Sequence, residues 1–184
     1  MQKAVFLDRD GVINEEVNFL IELEKIALIE GSAEALRNLN NAGYSVIIIT
    51  NQPAVGRGLA TESQITAINN RIVELLGEQG AKIDATYMCF HHPKHGQGKY
   101  KVDCGCRKPK PGMILEAAKD HNIDLSQSFM VGDRTSDIKA GVLSGAKTIS
   151  VRTGYGGAGN DGFNDATHDY IADNLLEASK IILQ

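Results

Sequence analysis

The chain lacks the features that would take it out of water or tie it to a polyanion. No apolar run approaches the roughly 20 residues that span a bilayer, so no membrane partner is expected. Positive charge is not in excess. Nineteen Lys and Arg stand against 23 Asp and Glu, a formal net charge of −4. A general nucleic-acid binder needs a basic surface, so no nucleic-acid partner is expected either. Met1-Gln2-Lys3 leads straight into an apolar run, without the charged and then apolar leader of a secretory signal. Cysteine is scarce: three residues, an odd number, all between positions 89 and 106. Such clustering suggests metal binding rather than a disulfide framework, and a reducing cytoplasm is the expected compartment. Repeats are absent, as is any linker that would split the 184 residues. One domain over 1–184 with a single sizeable core is therefore expected. No apolar stripe remains once that core is assigned, so the expected state is a monomer.

What is present is an alternation of strands and helices. Apolar runs predict strands over 3–8, 44–50, 83–90, 129–132, 146–151 and 168–172. Helical spacing of apolar residues follows Gly31-Ser32, Thr61-Glu62, Pro111-Gly112, Asp133 and Asn174. Gly31, Gly43 and Gly145 are placed as helix caps. Residues 10–29 are expected to form a flap, 91–110 a loop, and the Gly-rich stretch 154–162 a connector. Strands alternating with helices imply an α/β fold, a parallel sheet with helices on both faces.

The ends of these strands carry the polar residues. Asp8-Arg9-Asp10-Gly11 follows the first, Thr50-Asn51 ends the second and Asp133 ends the fourth. Parallel strands bring their carboxyl ends to one sheet edge, where ligands of open α/β sheets bind. The groups suit phosphoryl transfer. Asp8 is the candidate nucleophile and Asp10 the candidate acid and base. Thr50 and Lys108 are placed to hold phosphoryl oxygens, and Asp8 and Asp133 to bind Mg²⁺. Asp137 sits in the first turn of a helix, where a carboxylate is favourable anyway, and a capping role is preferred to metal binding. Cys89-Phe90-His91 and Cys104-Gly105-Cys106 supply three thiolates and one imidazole, the ligand set of a closed structural Zn²⁺ site. His92 and His95 are neighbours that compete with His91, and the spacing favours His91.

These residues, in this order, resemble the four motifs of the haloacid dehalogenase-like (HAD) phosphatases. The motifs here are Asp8-Arg9-Asp10-Gly11, Thr50-Asn51-Gln52, Lys108 within Arg107-Lys108-Pro109, and Gly132-Asp133. The resemblance implies a Rossmann-like HAD fold, with Asp10 also giving its backbone carbonyl to Mg²⁺. The run Cys89 to His91 and Cys104 to Gly112 looks like the zinc loop (89–108) of the heptose bisphosphate phosphatases and the related histidinol-phosphate phosphatases. The excursion after Gly11 is too short for a separate cap domain. Likeness to the heptose enzymes implies a small phosphorylated sugar as substrate, with the C7 phosphate removed. It places Glu16, Val17, Asn18, Phe19, Thr50, Asn51, Gln52, Pro53, Arg107, Lys108 and Arg134 along the site. Arg107 and Arg134 offer guanidinium forks to a second phosphate, which favours a bisphosphate over histidinol phosphate. A polynucleotide 3′-phosphatase shares the first motif, but the acidic charge speaks against it. A non-catalytic phosphate-sensing module would not need both Asp8 and Asp10.

Overall fold

In the computed structural model, which describes residues 1–157 and 167–184, the strands form one parallel sheet. They are β1 (Ala4–Leu7), β2 (Ser45–Asn51), β3 (Ala85–Cys89), β4 (Phe129–Gly132), β5 (Lys147–Val151) and β6 (Tyr170–Ala172). Their order is β3-β2-β1-β4-β5-β6. The helices are α1 (Ser32–Asn41), α2 (Pro53–Gly56), α3 (Glu62–Glu78), α4 (Gly112–Asp120), α5 (Thr135–Ser144) and α6 (Leu175–Ile182).

Side chains alternate across a strand, and each face of the sheet has its own cover. Val5, Leu7, Val46, Ile48, Val131 and Ile149 pack in one cluster with Leu36 and Leu39 of α1, Ile65 and Ile72 of α3, and Ile182 of α6. Ala4, Phe6, Ile47, Ile49 and Met130 pack in a second with Met113, Ile114 and Ala117 of α4 and Ala140 of α5. A sheet buried on both faces explains why its strands are unbroken apolar runs rather than alternating ones. Each fully buried Leu or Ile contributes about 1.5–3 kcal/mol. The register sets Phe6 beside Ile47 on one flank and Met130 on the other.

The strand order moves outward from β1 in one direction and from β4 in the other. A crevice opens at such a switch point, outside the carboxyl ends of the strands. Asp8 and Asp133 stand on its two sides, and the Asp8 N–H donates to Val131 O at 3.0 Å.

Every strand expected from the sequence is present. β3 and β6 begin two residues late because an aspartate stands in for the ladder at each start. The Asp84 carboxylate accepts from Val46 N, and that of Asp169 from Thr148 N. The short helix α2 was not expected. It starts on Pro53, whose fixed φ suits a first helical turn as well as a strand break. The flap is pinned at its root: Val12, Ile13 and Leu20 are buried in the core, and Asn14 bridges to Asp10 and Leu28. It carries only the 3-10 turn Leu23–Lys25, so it forms no separate cap domain. The 91–110 loop likewise holds a 3-10 turn, Gly98–Tyr100. Of the 154–162 connector, residues 158–162 lie outside the described residues. Among the described residues no helix is long and apolar enough to cross a membrane.

Candidate active site

Three buried carboxylates meet at the switch point. Asp8 follows β1, Asp133 follows β4, and Asp137 lies in the first turn of α5; one oxygen from each lies within 4.8 Å of the others. Lys108 is buried among them. Its Nζ is 3.0 Å from Asp8 Oδ1 and 2.7 Å from Asp137 Oδ1, and it donates to Ile49 O at 2.7 Å. Burial acts to lower the Lys108 pKa, but the charges of Asp137 and Asp8 outweigh it and the pKa is raised. Lys108 is therefore a fixed cation. One cation does not balance three anions. Burial, and then the charges of Asp137 and Asp8, push Asp133 up to about 8. Burial also pushes Asp137 up to about 6, against the opposing pull of Lys108. Asp133 Oδ2 accepts from Tyr155 N at 2.8 Å, while its Oδ1 is buried without a partner. A partnerless carboxylate oxygen beside a second carboxylate fits a hard divalent cation such as Mg²⁺, which takes oxygen ligands and reverses this local pKa logic.

Asp137 also ends the α5 backbone as expected of a cap: it accepts from Arg134 N at 3.0 Å. Its second task, the ion pair with Lys108, has no signal in the sequence.

Asp133 has room only because two glycines face it. A Cβ on Gly11 would lie 2.3 Å from Asp133 Oδ2, and one on Gly154 would lie 2.1 Å from it. The segment after β5 holds this arrangement together. Thr153 Oγ1 donates to Gly11 O at 2.7 Å, and Gly157 N donates to Asp133 O at 2.7 Å. Gly11 was marked as part of the first motif, but Thr153, Gly154 and Gly157 were not, because a Gly-rich run signals a loop and nothing about its partners.

The Asp10 carboxylate is oriented from three directions. The fully buried Arg9 addresses it with a fork, Nη2 at 2.9 Å from Oδ2. Asn14 Nδ2 donates to Oδ1 at 2.8 Å and Gln52 Nε2 to Oδ2 at 2.7 Å. Gln52 Nε2 also lies 3.0 Å from Thr50 Oγ1, and its backbone N–H donates to Cys89 O at 2.8 Å. Asn51 grips the backbone of Lys108 at both its N–H and its C=O, each at 3.1 Å. Asn51 and Gln52 were expected at the substrate. The structure shows their side chains holding Lys108, Asp10 and Thr50 in place.

The cysteine cluster is compact. Cys106 Sγ lies 3.1 Å from both Cys89 Sγ and Cys104 Sγ, which are 3.6 Å apart. His91 Nδ1 is 3.7 Å from Cys89 Sγ and 3.5 Å from Cys106 Sγ. The cysteines are free. A tetrahedron with arms of about 2.3 Å has edges of about 3.7 Å, so these four atoms suit Zn²⁺ after a small expansion. His92 Nδ1 instead accepts the backbone N–H groups of Lys94 and His95. Arg107 Nη1 donates to His91 O at 3.1 Å, which joins this loop to Lys108.

The flap supplies the outer wall. Glu16 Oε2 lies 3.5 Å from Arg134 Nη2, and the Arg134 guanidinium lies over the Tyr155 ring at 3.6 Å. Asn18, at φ 70°, places its Oδ1 3.5 Å from Tyr155 OH. The ring of Phe19 lies 5.4 Å from the Arg57 guanidinium. Val17 is exposed, and Pro53 opens α2. Tyr155 and Arg57 were not foreseen. An isolated aromatic and an arginine in short irregular segments have no periodicity to give them away.

A HAD-hydrolase-like family model matches residues 105–178. Over 183 residues the chain is 40% identical to a D-glycero-beta-D-manno-heptose-1,7-bisphosphate 7-phosphatase of Haemophilus influenzae, covering 99% of this chain and 97% of the relative. It is 42% identical over 146 residues to a D-glycero-alpha-D-manno-heptose-1,7-bisphosphate 7-phosphatase of Burkholderia mallei, covering 79% and 77%. A crystal structure of the D,D-heptose 1,7-bisphosphate phosphatase from B. bronchiseptica, complexed with magnesium and phosphate, matches with a TM-score of 0.85 at 30% identity, covering 99% and 98%.

Proposed function

The chain belongs to the HAD-like hydrolases and is a phosphoric monoester hydrolase; we propose that it removes the C7 phosphate of D-glycero-D-manno-heptose 1,7-bisphosphate, acting as a single-domain monomer in the cytoplasm. The observation that carries the reading is Asp8, held by Lys108 at 3.0 Å beside the partnerless Asp133 Oδ1. Arg9 N and Lys108 Nζ both address Asp8 Oδ1, which leaves Oδ2 for in-line attack on phosphorus. An Oδ2–P bond forms, the bond from phosphorus to the C7 oxygen breaks, and Asp10 gives its proton to the leaving oxygen. Asp10 then takes a proton from the water that cleaves the aspartyl-phosphate. Thr50 and Lys108 hold the phosphoryl oxygens. Bound by Asp8, Asp133 and the Asp10 backbone carbonyl, Mg²⁺ supplies the charge that lets an anionic nucleophile meet a phosphate dianion.

Turnover of heptose 1,7-bisphosphate and histidinol phosphate, each with Mg²⁺, tests the substrate. A second phosphate held by charge-assisted hydrogen bonds favours the bisphosphate by about 1.5–3 kcal/mol, or roughly 10–150-fold in kcat/KM. Faster turnover of histidinol phosphate would reverse the assignment.

The same reading makes Cys89, His91, Cys104 and Cys106 a structural Zn²⁺ site, since four protein ligands leave no position for substrate. Zinc removal by a chelator is expected to release one zinc per chain, as read by metal analysis. The main melting transition should persist, because the site meets the sheet only at Cys89, the last residue of the edge strand β3. Global unfolding on chelation would contradict this local role.

A further inference from the structure

We infer that Arg57 is a specificity-determining residue that, together with Arg107, holds the non-reacting phosphate of the substrate. The inference rests on the sugar-bisphosphate reading above. Arg57 caps α2, directly downstream of Thr50–Pro53. Its Nε is buried with no hydrogen-bond partner. Among the described residues, Arg9, Arg71, Arg134 and Arg152 form ion pairs; Arg57 and Arg107 form none, and neither does Arg37, whose Nη1 instead donates to Gln79 O.

Arg57 and Arg107 are tied to the same stretch of the zinc loop. Gly56 packs so tightly there that a Cβ on it would lie 2.5 Å from Phe90 O. Gln97 donates its backbone N–H to Gly56 O at 2.8 Å and its side-chain amide to Arg57 O at 3.2 Å. Arg107 Nη1 donates to the next carbonyl, His91 O. Arg57 and Arg107 are both half-buried. Two partly buried guanidiniums, neither paired with a carboxylate, lose hydration without a compensating charge. A phosphate dianion relieves that cost, and its oxygens match two planar forks.

Phe19 adds orientation. Its ring centroid is 5.4 Å from the Arg57 guanidinium, within the range of a cation–π contact. Phe19 itself packs against the core, so the contact fixes the direction of Arg57 from a rigid base. Arg134 is differently placed. Glu16 at 3.5 Å already neutralises it and the Tyr155 ring covers one face. The pairing of Arg107 with Arg134 expected from the sequence is thereby shifted to Arg107 with Arg57.

The test uses Arg57→Met and Arg57→Lys, with heptose 1,7-bisphosphate and heptose 7-phosphate as probes and melting temperature as the folding control. For Arg57→Met the ratio of kcat/KM for the bisphosphate to that for the monophosphate is expected to fall about 10–100-fold, the scale of a lost charge-assisted pair. The loss should fall on KM rather than kcat. Arg57→Lys should recover part of it, since a point charge replaces the fork. Equal losses on both substrates, or a bisphosphate preference that survives in Arg57→Met, would overturn the assignment of Arg57 alone. A wild-type enzyme with no preference for the bisphosphate would overturn the substrate reading and Arg57 with it.

Discussion

Replacing Asp8 with asparagine is expected to lower Mg²⁺-dependent phosphate release by at least about 10⁴-fold, on the scale seen when the nucleophile of a covalent hydrolase is removed. Asparagine has nearly the same shape, and its amide oxygen still accepts from Arg9 N and Lys108 Nζ as Asp8 Oδ1 does. What disappears is the nucleophilic anion. The fold should survive. Asp8 is one of the charges that raise the pKa values of Asp133 and Asp137, so its removal eases the crowding of carboxylates while Lys108 keeps Asp137 as a partner at 2.7 Å. Phosphate release and circular dichroism on the same preparation separate the two effects. A folded Asp8→Asn protein that turned over at the wild-type rate would remove Asp8 from the role of nucleophile.

Lys108→Met is expected to cost about 3–5 kcal/mol of folding stability, the range for removing one partner of a buried ion pair. Turnover should fall as well, since the cation proposed to face the phosphoryl oxygens goes with it. Methionine fills much of the space, so the loss reports charge more than volume. The effect has a definite pH dependence. Burial raises the folded pKa of Asp137 to about 6, and Lys108 is what holds it down. Without Lys108 that pKa rises further above the unfolded value. The folded state then binds a proton that the unfolded state has released, so stability falls as pH rises from about 4 through the folded pKa. The deficit relative to wild type should therefore be larger at pH 8 than at pH 5 in urea unfolding. Adding Asp137→Asn to Lys108→Met should restore part of the loss, because the two residues share one interaction. A deficit independent of pH would mean that Lys108 acts by packing and not by pairing.

How much of this could be read before the fold was seen depended on the kind of signal each residue leaves. β1 and β2 announce themselves because a strand buried on both faces is an unbroken apolar run, and Asp8 is legible because it ends one. The cluster of Cys89, His91, Cys104 and Cys106 is legible because Cys and His at short spacing have few other uses. The grip of Arg9, Asn14 and Gln52 on Asp10 was not legible. Those side chains come from two strand ends and a turn, and polar contacts between distant segments leave no periodic trace. Asp137 was half legible. Its position in a first helical turn announced the cap, but its partner Lys108 lies in a different motif, and only the sheet topology brings them within 2.7 Å. α2 was hidden by its length, since four residues beginning with proline look the same as a strand-breaking turn.

The glycines at Asp133 carry a lesson for transplanting this chemistry. Any attempt to graft the proposed catalytic group onto another parallel sheet would copy Asp8, Asp10, Lys108 and Asp133 and still fail if it left alanine where Gly11 and Gly154 stand, because either methyl would fall within 2.3 Å of the Asp133 carboxylate. The two positions belong to different crossovers of the chain and perform no chemistry. The smallest portable unit is therefore the three carboxylates and their lysine together with two empty spaces, and a donor alignment restricted to reactive side chains would omit both.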